Sequence, residues 1–183
     1  MSQNMKVKVE VEVIGKDGVR KGYSAVERDL ILAQFRNWLS ALLYARLATI
    51  NFETIKDVSG TDRTLYVRGD STTVNLFNDT RFGAVGTRIG IGSDGTAPSR
   101  TQYELLSKIA EFDITTELVT ESSIVKRGAW LATGSGTVRE TGLYAYWVDS
   151  GGVVRQFLLF RDTPTPQSYV DGDSIQVTYT ITL

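Results

Sequence analysis

The chain has no cysteine, no histidine and only three prolines in 183 residues, and neither charge sign is in excess. Without cysteine there are no disulfides, thiolate metal sites or cysteine nucleophiles. Without histidine the commonest general base and metal ligand is gone, and the Ser-His-Asp, Cys-His and His-carboxylate arrangements go with it. Carboxylate-only catalysis and oxygen-only metal sites survive this exclusion. Twenty basic residues against 21 acidic ones give a formal charge of −1. A nucleic-acid binder usually shows a basic excess, so no nucleic-acid partner is expected. Long apolar runs are also missing. The most apolar stretch, 30–50, carries Arg36 and Arg46, which are costly to bury in a bilayer. The first residues are interrupted by Lys6, Lys8, Glu10 and Glu12, unlike an export signal. The expectation is a protein that works in water, with no membrane partner.

What is present is mainly β in pattern. Residues 5–14 alternate, with Val7, Val9, Val11 and Val13 on one face and Lys8, Glu10 and Glu12 on the other. That is a half-buried strand. Gly15-Lys16-Asp17-Gly18 supplies a turn, and Val19–Tyr23 can return as a second strand, giving an N-terminal hairpin arm over 1–23. Ser24-Ala25-Val26-Glu27 has the form of a helix capping box. Leu30, Ile31, Phe35, Trp38, Leu39, Leu42, Leu43 and Leu47 then recur at spacings of three and four, predicting a long amphipathic helix over 26–48. Its stripe can pack on the sheet or partly face another subunit. Residues 50–86 read as an inserted flap with strands at Thr64–Arg68 and Thr72–Phe77. Beyond Arg88, strands are expected at Arg88–Ile91, Phe112–Thr120, Ser122–Leu131, Glu140–Val148, Val153–Phe160 and Ser174–Leu183, with a short helix at Tyr103–Ala110. Short strands at regular spacing predict one domain over 24–183, an antiparallel β-sandwich or open barrel.

The candidate chemistry is thin. Gly90-Ile91-Gly92-Ser93-Asp94-Gly95 has dinucleotide-loop spacing, but Pro98 stands where the following helix should run, so a glycine turn is the better reading. Arg68-Gly69-Asp70 matches an adhesion tripeptide that is too short to be specific. Asp171-Gly172-Asp173 supplies too few oxygens for calcium and suits a tight turn. Glu104, Glu111, Asp113, Glu117, Glu121 and Glu140 have no spacing that assigns an acid and a base. Glu140 stands out by its place before an apolar strand, where a salt bridge or turn bond is the expected role. Leu143–Val148 places large rings on both faces of one strand, as in a strand buried on two sides. No catalytic, metal or cofactor residue is assigned.

Three stretches resemble a family of structural proteins from tailed viruses. The first is Arg88-Ile89-Gly90-Ile91-Gly92 with its loop to Ala97-Pro98-Ser99, followed by the apolar turn Leu105–Ile109. The second is Val138-Arg139-Glu140-Thr141-Gly142-Leu143-Tyr144. The third is Leu158-Leu159-Phe160-Arg161 with the alternating strand from Asp171-Gly172-Asp173-Ser174 to Leu183. The resemblance implies a non-enzymatic virion component of the tail, collar, fibre attachment or head surface, made in the host cytoplasm. Its partners would be itself, as a homo-oligomer, and other virion proteins. The apolar faces expected at subunit interfaces are Val7, Val9, Val11, Val13, Trp38, Leu42, Tyr146, Trp147, Ile175, Val177, Tyr179 and Ile181. Reciprocal exchange of the N-terminal arm onto the last strand is one way to use them. The alternative is a receptor- or glycan-binding module of a fibre, marked by an exposed aromatic patch near Trp130 or Trp147.

Overall fold

A computed structural model describes residues 6–28, 35, 50–51, 54–64, 67–68, 84–149 and 151–182. Hairpins build most of it. β1 (Lys6–Ile14) and β2 (Arg20–Arg28) form the expected first hairpin. Four short strands follow, β3 (Ile50–Asn51), β4 (Thr54–Lys56), β5 (Asp62–Thr64) and β6 (Val67–Arg68), with β3 pairing β6 and β4 pairing β5. The remaining strands are β7 (Ala84–Gly92), β8 (Lys108–Val119), β9 (Ser123–Leu131), β10 (Gly136–Val138), β11 (Glu140–Val148), β12 (Val154–Asp162), β13 (Gln167–Tyr169) and β14 (Ser174–Thr182). Eight of them make one antiparallel sheet in the order β12-β11-β7-β8-β9-β14-β1-β2, curled into a half-barrel.

The curl follows from alternation. β1 and β14 pair over nine residues, Val9 against Tyr179 and Val11 against Val177. Their apolar side chains therefore all point into the trough with Ile89, Ile91, Leu143, Trp147, Phe157 and Leu159. The far wall is double-sided, as the alternation in 143–148 implies. Tyr144 and Leu158 point outward and are covered by Leu105 and Val58. Val58 N–H also donates to Gln156 O at 3.0 Å, docking the β4–β5 hairpin on the β12 edge. The chain leaving β12 reaches the opposite edge of the sheet, where Thr165 N–H donates to Ser24 Oγ at 2.9 Å.

Two hairpin turns share a pattern that escaped the sequence reading, Asp-x-x-Gly-x-x-Arg. In Asp57–Arg63 and Asp149–Arg155 the glycine has φ near +78°, at +77° in Gly60 and +79° in Gly152. The aspartate carboxylate accepts from the backbone N–H groups two and four residues on. Arg63 and Arg155 close each loop through Nε at 2.7 and 2.8 Å. This is a type I turn with a glycine bulge, locked by one carboxylate. Burial alone would raise the Asp57 carboxyl, but the bonds from Ser59, Arg63 and the Thr61 amide outweigh it and bring it down to about 2. A lowered carboxyl stabilises the fold above its unfolded value and loses that contribution as pH falls through the folded one. Asp57→Asn is therefore expected to cost about 2 kcal/mol at neutral pH, with the difference from wild type vanishing near pH 2. Urea unfolding of both proteins across that range checks it.

Several expectations are corrected. The capping serine, Ser24, lies inside β2, which runs on through Arg28. Pairing with β1, Val9 against Val26 and Lys8 against Glu27, overrides the local helix signal. Residues 26–28 are strand and Phe35 is the one helical residue among those described, so the long helix over 26–48 is not supported. Of its remainder only Phe35 is described, buried with its ring 4.6 Å from that of Phe160. Trp38 and Leu42 lie outside the described residues, as does the strand expected at 72–77. The short helix expected at Tyr103–Ala110 is turn and then strand, because β8 begins at Lys108. The hairpin expected as an arm is part of the main sheet, with β1 between β14 and β2.

Candidate functional site: a buried ion clamp and a cleft between parted strands

Glu140 opens β11 and Arg161 lies near the end of β12, and both side chains are fully buried. Arg161 Nε and Nη2 each lie 2.8 Å from Glu140 Oε2. The other carboxylate contacts come from the loop between β7 and β8, where Ser107 N–H donates to Oε1 at 2.7 Å and Leu106 N–H to Oε2 at 3.1 Å. Arg161 Nη1 donates in turn to Thr96 O at 2.9 Å and Gln102 Oε1 at 3.2 Å. Asp94 stands 3.6 Å from Nη2. Gly92 is required here, since a Cβ would strike the Glu140 carboxylate and lie 2.5 Å from Ser107 O. The cluster pins fifteen residues of loop, 93–107, against the sheet.

Those residues belong to the three stretches that carry the sequence resemblance. Asp94 and Thr96 come from the first, Glu140 from the second and Arg161 from the third. The glycines of the dinucleotide-like loop serve packing. Gly90 lies in β7, where a Cβ would come 2.7 Å from the Tyr144 ring, and β7 is followed by an extended loop rather than a helix.

The carboxylates of Asp171-Gly172-Asp173 are likewise engaged in ground-state contacts. Asp173 is buried, accepts from Val170 N–H and pairs with Lys21 at 2.8 Å, while Asp171 lies 3.4 Å from Lys16. Lysines thus hold the positions a cation would take. Gly69 and Asp70 of the adhesion tripeptide lie outside the described residues. Trp147 is 1% exposed, and Trp130 is half-buried with its ring edge-on to Tyr169 at 5.6 Å, so neither forms an open glycan platform. Of the expected interface positions, the four valines of β1, Trp147, Ile175, Val177, Tyr179 and Ile181 all lie in the core of a single chain. Their faces are covered without a neighbour. Tyr146 alone among the described ones reaches the surface.

Tyr146 leads to the feature that the sequence did not reveal. Its hydroxyl donates to Glu111, which also receives Lys108 at 2.9 Å and Gln156 at 2.7 Å. Burial pushes the Glu111 carboxyl up, but these three bonds together hold it below the usual range. Arg88 stacks over the Tyr146 ring at 5.3 Å and pairs with Asp113 at 2.8 Å. This polar patch closes one end of a shallow cleft of about 200 Å³, which opens onto a further 310 Å³ lined by Gly86, Thr87, Asp113, Ile114, Thr115 and Glu117.

The cleft exists because the sheet comes apart there. β8 pairs with β7 from Lys108 to Asp113 and with β9 from Ile114 to Val119. Continuing the first register would set Gly86 against Thr115, but each strand carries an extra residue at that level. On β7 the bulge falls at Val85, between the Tyr146–Gly86 and Trp147–Ala84 pairs. On β8 it falls at Thr115, between the Ile114–Gly128 and Thr116–Arg127 pairs. Bulges bend their strands and end pairing, so β7 and β8 diverge. Gly86, with φ of +143°, permits the bend. Gly128 lets β8 press close, since a Cβ would meet Asp113 O at 2.7 Å. Residues 115–119 are all exposed, and Leu118 and Val119 are 56% and 58% exposed. Glu117 is held from β9 by the buried Lys126 at 2.6 Å.

No protein-family model, curated protein or solved structure matches the chain.

Proposed function

We propose that the chain is a non-enzymatic assembly protein, a structural component of a tailed virus particle that works as a homo-oligomer. The observation that carries the reading is the clamp. The motif residues that resemble the virion family, Asp94, Thr96, Glu140 and Arg161, meet at one buried ion pair, Glu140 with Arg161, that holds a loop on a sheet. Motifs that build an architecture rather than a reaction are what a structural family would carry. The acidic residues point the same way. A carboxylate pair working as acid and base needs proton affinities pushed apart. Glu10, Glu27, Asp57, Asp94, Glu111, Asp149 and Asp173 are all shifted downward, none of them toward the raised affinity of a general acid.

Antibody raised against the purified chain and coupled to gold tests the particle assignment. Tailed particles from cells carrying the gene are expected to be labelled at a fixed station. Unlabelled particles, with the chain left in the soluble fraction, would refute it. Glu111→Gln and Glu140→Gln provide the enzymatic control, since neither variant should alter any hydrolytic activity measured on glycan substrates beyond its effect on folding.

A further inference from the structure

We propose that Asp94–Gly95 is a site of spontaneous isoaspartate formation, a covalent change that loosens the ion clamp as the protein ages. The chain contains three Asp-Gly pairs, Asp17–Gly18, Asp94–Gly95 and Asp171–Gly172, and no Asn-Gly. The reaction needs the amide nitrogen of the second residue to reach the aspartate carboxyl carbon. Glycine allows it, because no Cβ stands in the way. The fold treats the three pairs differently. Gly18 N–H donates to Gly15 O and Gly172 N–H to Ala132 O, both at 2.8 Å. No described residue accepts from Gly95 N–H. Gly95 is exposed, and a Cβ on it would meet nothing nearer than Arg139 at 3.9 Å.

The carboxyl of Asp94 is also held in place. Thr96 N–H donates to its Oδ1 at 2.7 Å, which folds the side chain over the Asp94–Gly95 peptide and keeps the reacting groups together. The chain is anchored on either side, by Ser93 N–H on Ser107 O at 2.9 Å and by Thr96 O on Arg161 Nη1. The bonds from Thr96 keep the carboxyl ionised at neutral pH. The reacting form is the acid, so the change is slow there and faster in mild acid. Gly95 N gives its proton to water and bonds to Asp94 Cγ, and a carboxyl oxygen leaves as water, closing a succinimide ring. Water then adds to the main-chain carbonyl carbon of Asp94 and breaks its bond to Gly95 N. Nothing is oxidised or reduced, and the water lost is regained. The main chain now runs through Cβ, one carbon longer, with the carboxylate attached directly to Cα. That displaces the carboxylate beside Arg161 Nη2 and the Thr96 carbonyl that Nη1 binds.

The test ages the purified chain for weeks at about pH 5, where aspartate is partly protonated, and maps its peptides by electron-transfer fragmentation. Isoaspartate at 94 should accumulate about threefold faster or more than at 17 or 171, whose glycine amides must first leave an acceptor. In urea the three rates should converge, because the fold makes the difference. Gly95→Ala adds a Cβ that the loop has room for, so this variant should fold as wild type. It should slow the change at 94 by about tenfold, since the Cβ hinders ring closure. Amide exchange through 93–107 should quicken in aged wild type and stay unchanged in aged Gly95→Ala. Equal rates at the three sites in the folded chain, or the same order kept in urea, would overturn the proposal. Unchanged exchange in protein isomerised at 94 would overturn the loosening of the clamp.

Discussion

Arg161→Met is expected to lower the unfolding free energy by about 3–5 kcal/mol, one of the largest effects of any single substitution in this chain. The loss comes less from the pair itself than from what remains. Methionine fills most of the space, but Glu140 would stay buried, holding its charge against only the Leu106 and Ser107 amides. Thr96 O and Gln102 Oε1 would also lose their donor. Removing one partner of a fully buried pair leaves an uncompensated charge, and that is the costly case. Adding Glu140→Leu removes the charge and should restore part of the stability. It should not restore all of it, because two backbone N–H groups are then left without an acceptor, at about 1–3 kcal/mol each. Urea unfolding of the two single variants and the double variant measures the coupling. Amide exchange adds the location, with faster exchange expected through 93–107 before the sheet opens. A loss below about 1 kcal/mol for the single variants would mean that water reaches the cluster and that it does not anchor the loop.

Deleting residues 1–22 is expected to unfold the chain. β1 lies between β14 and β2 and places Val7, Val9, Val11 and Val13 in the core, at 2% exposure or less. Burial of each valine is worth about 1.5–3 kcal/mol. Four of them together approach the roughly 5–15 kcal/mol that holds a domain of this kind together. The deletion also strips the nine-residue pairing from β14, exposing Ile175, Val177, Tyr179 and Ile181. Far-UV circular dichroism and dye binding to exposed apolar surface read the outcome. A truncated chain that kept its sheet and melted cooperatively would contradict the interior place of β1, and would return the hairpin to the role of an exchangeable arm. A synthetic peptide spanning residues 5–23, added to the truncated chain, should recover the lost sheet if the vacant position is the cause.

The parts of the fold legible in the sequence are those governed by a period of two. The strict alternation of 5–14 and 174–183 gave two strands and their buried faces, and nothing competes with it locally. Rings on both faces of 143–148 likewise announced a strand covered on two sides, which β11 is. Local helix signals fared worse. Ser24 to Glu27 has the chemistry of a helix cap, yet β1 offers these residues a complete set of cross-strand partners, and the pairing wins. At Leu105–Ile109 the apolar spacing suited a helical turn, but Glu140 takes the Leu106 and Ser107 amides and β7 pairs from Lys108 onward. A partner 33 residues away in sequence cannot be read from the turn itself. Glu140 stands out in the sequence with a salt bridge or a turn bond as its expected role, and it makes both, although nothing named Arg161. The parting of β7 from β8 was not legible at all, because it depends on two bulges, at Val85 and Thr115, that exist only once β11 and β9 have fixed the registers.

The most direct measurement is the solution mass of the purified chain by light scattering, with negative-stain images of the same sample. An assembly protein should reach a defined multiple of the chain mass as concentration rises, with discrete particles of uniform outline. A stable monomer at high concentration, featureless in the images, would contradict self-assembly as what this chain does.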